Sequence, residues 1–153
     1  NAWKSVYYLQ NEVAFGEIVR GMHHWGASLV IVMMFLHTLR VFFTGSYKKP
    51  RELNWIVGVG IFGVMMGLGF TGYLLPWDMK ALFATKVGIE IAASVPFIGE
   101  YIKILLAGDS TILGAQTLTR FFAIHVFFLP AALFALLAAH FIMIRRQGIS
   151  GPL

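Results

Sequence analysis

Three runs of about twenty apolar residues, Trp25–Phe43, Trp55–Leu75 and Phe121–Ile144, constrain this chain more than any other feature. About twenty residues of helix cross the roughly 30 Å hydrocarbon core of a bilayer. In hydrocarbon a lone segment can satisfy its backbone N–H and C=O groups only as a helix. Composition agrees: 58% of the residues are hydrophobic and 12% charged, against roughly 25% charged in soluble domains, and the mean hydropathy is +0.75. The expected fold is all-α, a transmembrane helical bundle forming a single membrane domain over residues 1–153.

The net charge of +5 does not point to nucleic acid, because the basic residues are scattered among apolar spans and not gathered on a polar face. With no cysteine there is no disulfide, no CxxCH haem attachment and no thiolate metal site. Any cofactor must be held by nitrogen or oxygen ligands or by packing. The chain starts at Asn1 with no basic n-region and cleavage site ahead of the spans, so it reads as a piece of something longer.

Gly45 and Pro50 break the first connection, "TGSYKKPREL". In the second, "MKALFATKVGIEIAA" and "IGEYIKILLAG" flank Val95-Pro96 and mix charges with apolar residues, as short amphipathic helices at the interface do. Arg40, Lys48, Lys49, Arg51, Arg145 and Arg146 fall on one side of the membrane, opposed only by Glu52. On the other, Lys4, Arg20, Lys80, Lys86, Lys103 and Arg120 are balanced by Glu12, Glu17, Asp78, Glu90, Glu100 and Asp109. The positive-inside rule puts the KKPRE loop and the C-terminus on the cytoplasmic, negative side. The first and third spans then run in the same direction.

Ionisable side chains in a span are expensive, so by default they mark function. A lone histidine would read as a hydrogen-bonded core residue, but here the spacing speaks. His23 and His37 are 14 residues apart, about 3.9 turns, and His125 and His140 are 15 apart, about 4.2 turns. Each pair shares a helix face, its members roughly 21 Å apart along the axis. Since the helices are parallel, His23 meets the depth of His125 and His37 that of His140. Two levels of facing imidazoles suit two haems stacked across the membrane, each iron taking one imidazole from each helix. With both axial positions closed, the chemistry is electron transfer, not oxygen binding. His24, one position further along, falls out of register with His37 and points to a nearly opposite face.

Arg20 and Arg120 lie within five residues of the outer pair, and Arg40 and Arg145 three and five residues beyond the inner histidines, where propionates would emerge; the alternative is snorkelling from helix ends. The middle span carries six glycines, of which Gly58 and Gly72 repeat the 14-residue spacing and would admit a flat macrocycle edge. Close helix packing is the other use of such glycines. Pro130, five residues after His125, removes a backbone hydrogen bond to Val126 and should kink the helix.

Taken together, "KKPRELNW", "GYLLPWD", "TLTRFFAIH" and "HFIMIRRQGISGPL" resemble cytochrome b of the quinol-oxidising cytochrome bc complexes, most closely the split b6 type. The match runs from about Phe15 to Leu153, and the 15-residue histidine gap favours the split type over the mitochondrial one. The resemblance implies two non-covalent b-type haems. The low-potential one lies between His23 and His125 on the positive side, the high-potential one between His37 and His140 on the negative side. Arg20, Arg40, Arg120 and Arg145 stand toward propionates, with Gly58 and Gly72 packing on haem. Tyr73, Phe83, Ala84 and Val87 are implied as one wall of the positive-side quinol pocket. "LPWDMKALFATK" departs from the family pattern at Met79 through Phe83, which leaves the quinone type open. The family has a further helix before the histidine pair, making a four-helix dihaem bundle, and the stretch ahead of His23 is too short for it. Its Pro-Glu-Trp-Tyr element belongs to a second half of cytochrome b, so the chain is not active alone.

The implied partners are that second, subunit IV-like half, a Rieske iron–sulfur protein and a c-type cytochrome, in a dimeric complex of a bacterial inner or thylakoid-type membrane. Two other readings stand beside this one: a dihaem membrane anchor of a dehydrogenase or hydrogenase, and a haem-free transporter subunit whose histidines relay protons.

Overall fold

Each span closes its own backbone hydrogen bonds, and the computed structural model, which describes residues 2–108 and 113–150, is helical in all its regular elements. Helix α1 covers Ala2–Asn11, α2 Gly16–Phe43, α3 Glu52–Tyr73, α4 Met79–Ala93 and α5 Gly99–Ala107. The third span is an uninterrupted 33-residue helical run. It consists of α6 (Ala115–Ala123), a π-helical turn (Ile124–Phe128) and α7 (Leu129–Gln147). Asp109, counted above among the acids, and the closing Gly151-Pro152-Leu153 lie outside the described residues.

Among the described residues, α2, α3 and the third run are long and apolar enough to cross a bilayer, in agreement with the three expected spans. The helices outrun their apolar cores. Helix α2 begins well before Trp25, taking in Glu17, Arg20 and both of the adjacent histidines. Hydropathy marks only the stretch in hydrocarbon, whereas the helix continues through the interface, where long polar side chains reach water. Glu17 in the first turn and Arg40 in the last also suit the helix macrodipole.

Helix α3 organises the rest. It packs against both α2 and α7, while no Cα of α2 comes within 8 Å of one in α7 among the described residues. The two outer helices run parallel, as expected. At one end the ring of His23 meets that of His125; at the other, His37 and His140 line one cavity. At this second end the connection between α2 and α3 is tied to the end of α7. Gln147 donates to the Pro50 carbonyl at 3.0 Å, Arg51 to the Ile149 carbonyl at 3.2 Å, and Ser46 and Ser150 share a hydrogen bond of 2.8 Å.

The two short helices of the second connection form where the charge pattern put them. Asp78 caps α4, its carboxylate accepting from the Ala81 N–H at 2.8 Å. Lys103 of α5 pairs with Glu90 of α4 at 3.1 Å. Thr117 of α6 is fully buried and donates to the Ala107 carbonyl at 2.8 Å, binding α6 to the end of α5. Beneath this hairpin Leu74, Ile89, Ala107 and Phe121 form a buried apolar cluster, with Phe70, Trp77 and Leu82 packed around it. By contrast, α2 has no buried residue.

Helix α1 is an addition to the expected organisation. Its apolar residues are broken up by polar ones, so no long hydrophobic run announces it. Trp3 and Tyr7, one helical turn apart, stack with ring centres 5.6 Å apart, and Phe15 turns the chain into α2 with a φ of 62°.

Replacing the fully buried Phe121 by Ala should cost about 3–5 kcal/mol, seen as a lowered melting temperature in detergent. Lys103→Ala, which removes only a partly exposed ion pair, should cost at most about 1 kcal/mol. Equal losses would show that the hairpin is held by charge and not by the cluster beneath it.

Candidate functional site

The level with His23 and His125, called outer after the side the charge pattern predicts for it, is built by α2 and the π-helical turn. His23 and His125 stand with ring centres 6.2 Å apart and planes at 84°. Two imidazoles on opposite sides of one ion, with metal–nitrogen bonds of about 2 Å, place their ring centres roughly 6 Å apart. Among the described residues no three His, Cys, Asp or Glu side chains gather as a metal cluster. An ion between them could draw two ligands from these side chains and would need the rest from a bound group, as a macrocycle would supply.

His125 is oriented from α3. Thr71 is buried, and its hydroxyl lies 2.8 Å from the Gly67 carbonyl and 3.1 Å from Nδ1 of His125. Gly72 follows; a Cβ there would lie 2.5 Å from Cε1 of His125, closer than real Cβ atoms approach. The imidazole occupies the room that the missing side chain leaves.

At the inner level His37, His140, Asn54, Gly58 and Arg40 line a cavity of about 740 Å³, within the range of cofactor and small-molecule sites. Gly58 faces His140, its absent Cβ 3.5 Å from Cε1. Nδ1 of His140 and Oδ1 of Asn54 are buried without hydrogen-bond partners. The imidazole pair at one level, the cavity and orphaned polar atoms at the other, and glycines cleared at both fit a flat macrocycle held by two imidazoles. Gly58 and Gly72 thus meet the imidazoles of the third span, a more specific contact than the general small-residue packing that was the alternative.

The π-helical turn resolves the unequal histidine spacings. The longer gap on the third span, run through a regular helix, would leave His140 about 60° around from His125. The turn at Ile124–Phe128, which contains His125, takes up an extra residue, so this pair shares a face as His23 and His37 do. Such single π turns recur at functional sites. Pro130 sits in the first turn of α7 immediately after it, so the expected break takes the form of a wider turn.

Among the arginines the structure separates roles. Arg40 lines the inner cavity. Arg120 donates to the Ile104 and Leu105 carbonyls at 2.5 and 2.8 Å, near the C-terminal end of α5. Arg20 bonds the Gln10 side-chain oxygen at the end of α1, and Arg145 is exposed in the last turn of α7. His24 is turned toward Trp25, ring centres 5.4 Å apart, whereas the ring of His23 meets that of His125. Tyr73, Phe83, Ala84 and Val87 are all exposed, the last three at helical spacing along α4. Thr71 and Asn54 were not singled out in the sequence. The signal for Thr71 was the one threonine of α3, directly before a glycine already marked by its spacing.

The family model described as Cytochrome b(N-terminal)/b6/petB matches residues 28–153. Over all 153 residues the chain is 85% identical to the menaquinol:cytochrome c reductase cytochrome b subunit of Geobacillus thermodenitrificans, covering 68% of that protein. Over 152 residues it is 48% identical to cytochrome b6 of Heliobacterium modesticaldum, covering 71% of it. The fold matches a chain of a hyperthermophilic respiratory complex III with a TM-score of 0.88 at 31% identity, over 98% of this chain and 40% of that one. These similarities separate it from the dehydrogenase-anchor and transporter readings: the chain belongs to the cytochrome b N-terminal/b6 family and is an integral membrane cytochrome b subunit of a bc-type complex.

Proposed function

We propose that each histidine pair holds the iron of one b-type haem, His23 with His125 near the outer face and His37 with His140 near the inner. On this reading the chain, a single membrane domain, serves electron transfer between quinol oxidised at the outer face and quinone reduced at the inner. What carries the reading is the 6.2 Å imidazole pair reaching across helices whose Cα atoms stay more than 8 Å apart among the described residues, matched by a second pair on a cavity wall. Bound haem supplies reversible one-electron exchange at its iron.

The protein's own work is positional. Helix α3 keeps α2 and α7 apart, Gly58 and Gly72 make room for the imidazoles, and the histidines set two levels roughly 21 Å apart along the helices. Arg40, at the inner cavity, offers charge-assisted hydrogen bonds to a propionate. Arg20, Arg120 and Arg145 stand near the membrane edges for the same task, Arg20 and Arg120 exchanging their present partners for it. The exposed face of Tyr73, Phe83, Ala84 and Val87 forms one wall of a quinol pocket, which a second cytochrome b half completes.

Among the relatives, the name of the Geobacillus protein specifies menaquinol and cytochrome c, and those are the donor and acceptor inferred for the complex built on this chain. Its other partners are a Rieske iron–sulfur protein, which takes one of the two quinol electrons, and a c-type cytochrome, in a dimer. The charge bias of the connections supports a cytoplasmic position, at a bacterial inner or thylakoid-type membrane, for the loop after α2 and the end of α7.

Reduced-minus-oxidised spectra of the purified complex should resolve two b-type components of different potential on this chain, both extracted by acid acetone. One component, or pigment retained on the chain, overturns the assignment. His23→Gln should remove the outer component and spare the inner, while His24→Gln keeps both; the reverse result means the helical register is wrong. Gly72→Ala, whose Cβ meets the His125 ring, should displace that ligand and deplete the outer component. Gly58→Ala makes only ordinary contact and should retain both, so equal tolerance at the two glycines would contradict the close approach at His125.

A further inference from the structure

Helix α3 carries one pattern twice, once at each level. Gly58 and Gly72 face His140 and His125, and the carbonyls of Asn54 and Leu68, each one turn before its glycine, approach the same rings. The residue just before each glycine breaks the repeat: Val57 at the inner level, Thr71 at the outer. These side chains have nearly the same shape and differ by a methyl against a hydroxyl.

The hydroxyl of Thr71 carries one proton and can accept twice. Its 2.8 Å contact to the Gly67 carbonyl, which can only accept, uses that proton. The contact of 3.1 Å to His125 must then run the other way, with Nδ1–H of the imidazole donating to the Thr71 oxygen. That tautomer leaves the lone pair of Nε2 free for a metal. A histidine ligand whose other nitrogen donates to a fixed acceptor is both oriented and made more basic. At the inner level Nδ1 of His140 is buried with no hydroxyl bonded to it among the described residues, and the group that approaches the ring there is the Asn54 carbonyl.

We propose that Thr71 is a positioning residue that sets the two haem levels apart in potential. By accepting from Nδ1–H it fixes the tautomer of His125 and strengthens its donation to iron, which favours the oxidised form and lowers the outer potential relative to the inner. The inference rests on the histidine ligation proposed above.

The test is a redox titration of the b-type components in the intact complex carrying Thr71→Val, Thr71→Ser or Val57→Thr, with the outer component identified by its loss in His23→Gln. Thr71→Val should raise the outer midpoint alone, and Thr71→Ser should leave it at the wild-type value. Val57→Thr, which installs the hydroxyl at the inner level, should lower the inner midpoint. An unmoved outer midpoint in Thr71→Val, or a Thr71→Ser shift as large as that of Thr71→Val, overturns the proposal. If Thr71→Val does not assemble, an unmoved inner midpoint in Val57→Thr overturns it. Absence of two b-type components from the unsubstituted complex overturns the ligation reading and this one with it, whereas two components with unmoved midpoints overturn this one alone.

Discussion

The contact between the glycines of α3 and the imidazoles of the third span is the constraint on which the remaining geometry depends. An imidazole directed from α7 toward α2 must pass α3, and any side chain at position 72 would occupy the space its edge fills. With glycine there, α3 packs closely on the third span and still leaves α2 separate from it. The gap between α2 and α7 is therefore made by the middle helix, not by either of the helices that bear the histidines. In water so many glycines in one helix would be a liability. In a bilayer the helix is enforced by its own backbone, and the same residues are free to set distances.

Much of this was legible in the sequence because a membrane span offers few alternatives. Once hydrocarbon imposes a helix, the separations of His23 from His37 and of Gly58 from Gly72 translate directly into faces and depths. That inference needs no knowledge of tertiary packing. The α4–α5 hairpin was legible for a related reason: its charges recur among apolar residues between two turns, and Asp78 is a plain capping residue. Other features escaped because they depend on context. Helix α1 has no long apolar run and is defined by its stacking aromatics and its packing on α2. The arginines sit on long, flexible side chains whose partners are carbonyls and amides brought near only by the fold, as Arg120 shows at the end of α5.

The π-helical turn is an intermediate case. Pro130 signalled an irregularity, and the longer histidine gap on the third span signalled one residue too many, but neither said how the excess would be absorbed. A kink would have altered the direction of the helix; a wider turn corrects its phase. Phase is what the proposed ligation needs, because about 60° of rotation would direct one of the two imidazoles away from its partner on α2. A proline placed just after the turn makes the wider geometry less costly, since it has no N–H to contribute to a regular ladder.

The two ends of the bundle are built differently. At the outer end a hairpin, a buried apolar cluster and a fully buried threonine lock α6 to α5. Around His125 the ring, its hydroxyl partner and its glycine are fitted within van der Waals and hydrogen-bond distance. The inner end has a cavity bordered by Thr44, Ser46, Tyr47 and two arginines, with a chain of hydroxyl hydrogen bonds running from Thr44 through Ser46 to Ser150. A close-fitting site restricts a ligand's orientation through packing. A roomy one lined with polar groups restricts it through hydrogen bonds and admits water or a second molecule. Two chemically similar histidine pairs on one scaffold are thereby given unlike surroundings, and under the proposed ligation such surroundings would make two identical cofactors behave differently.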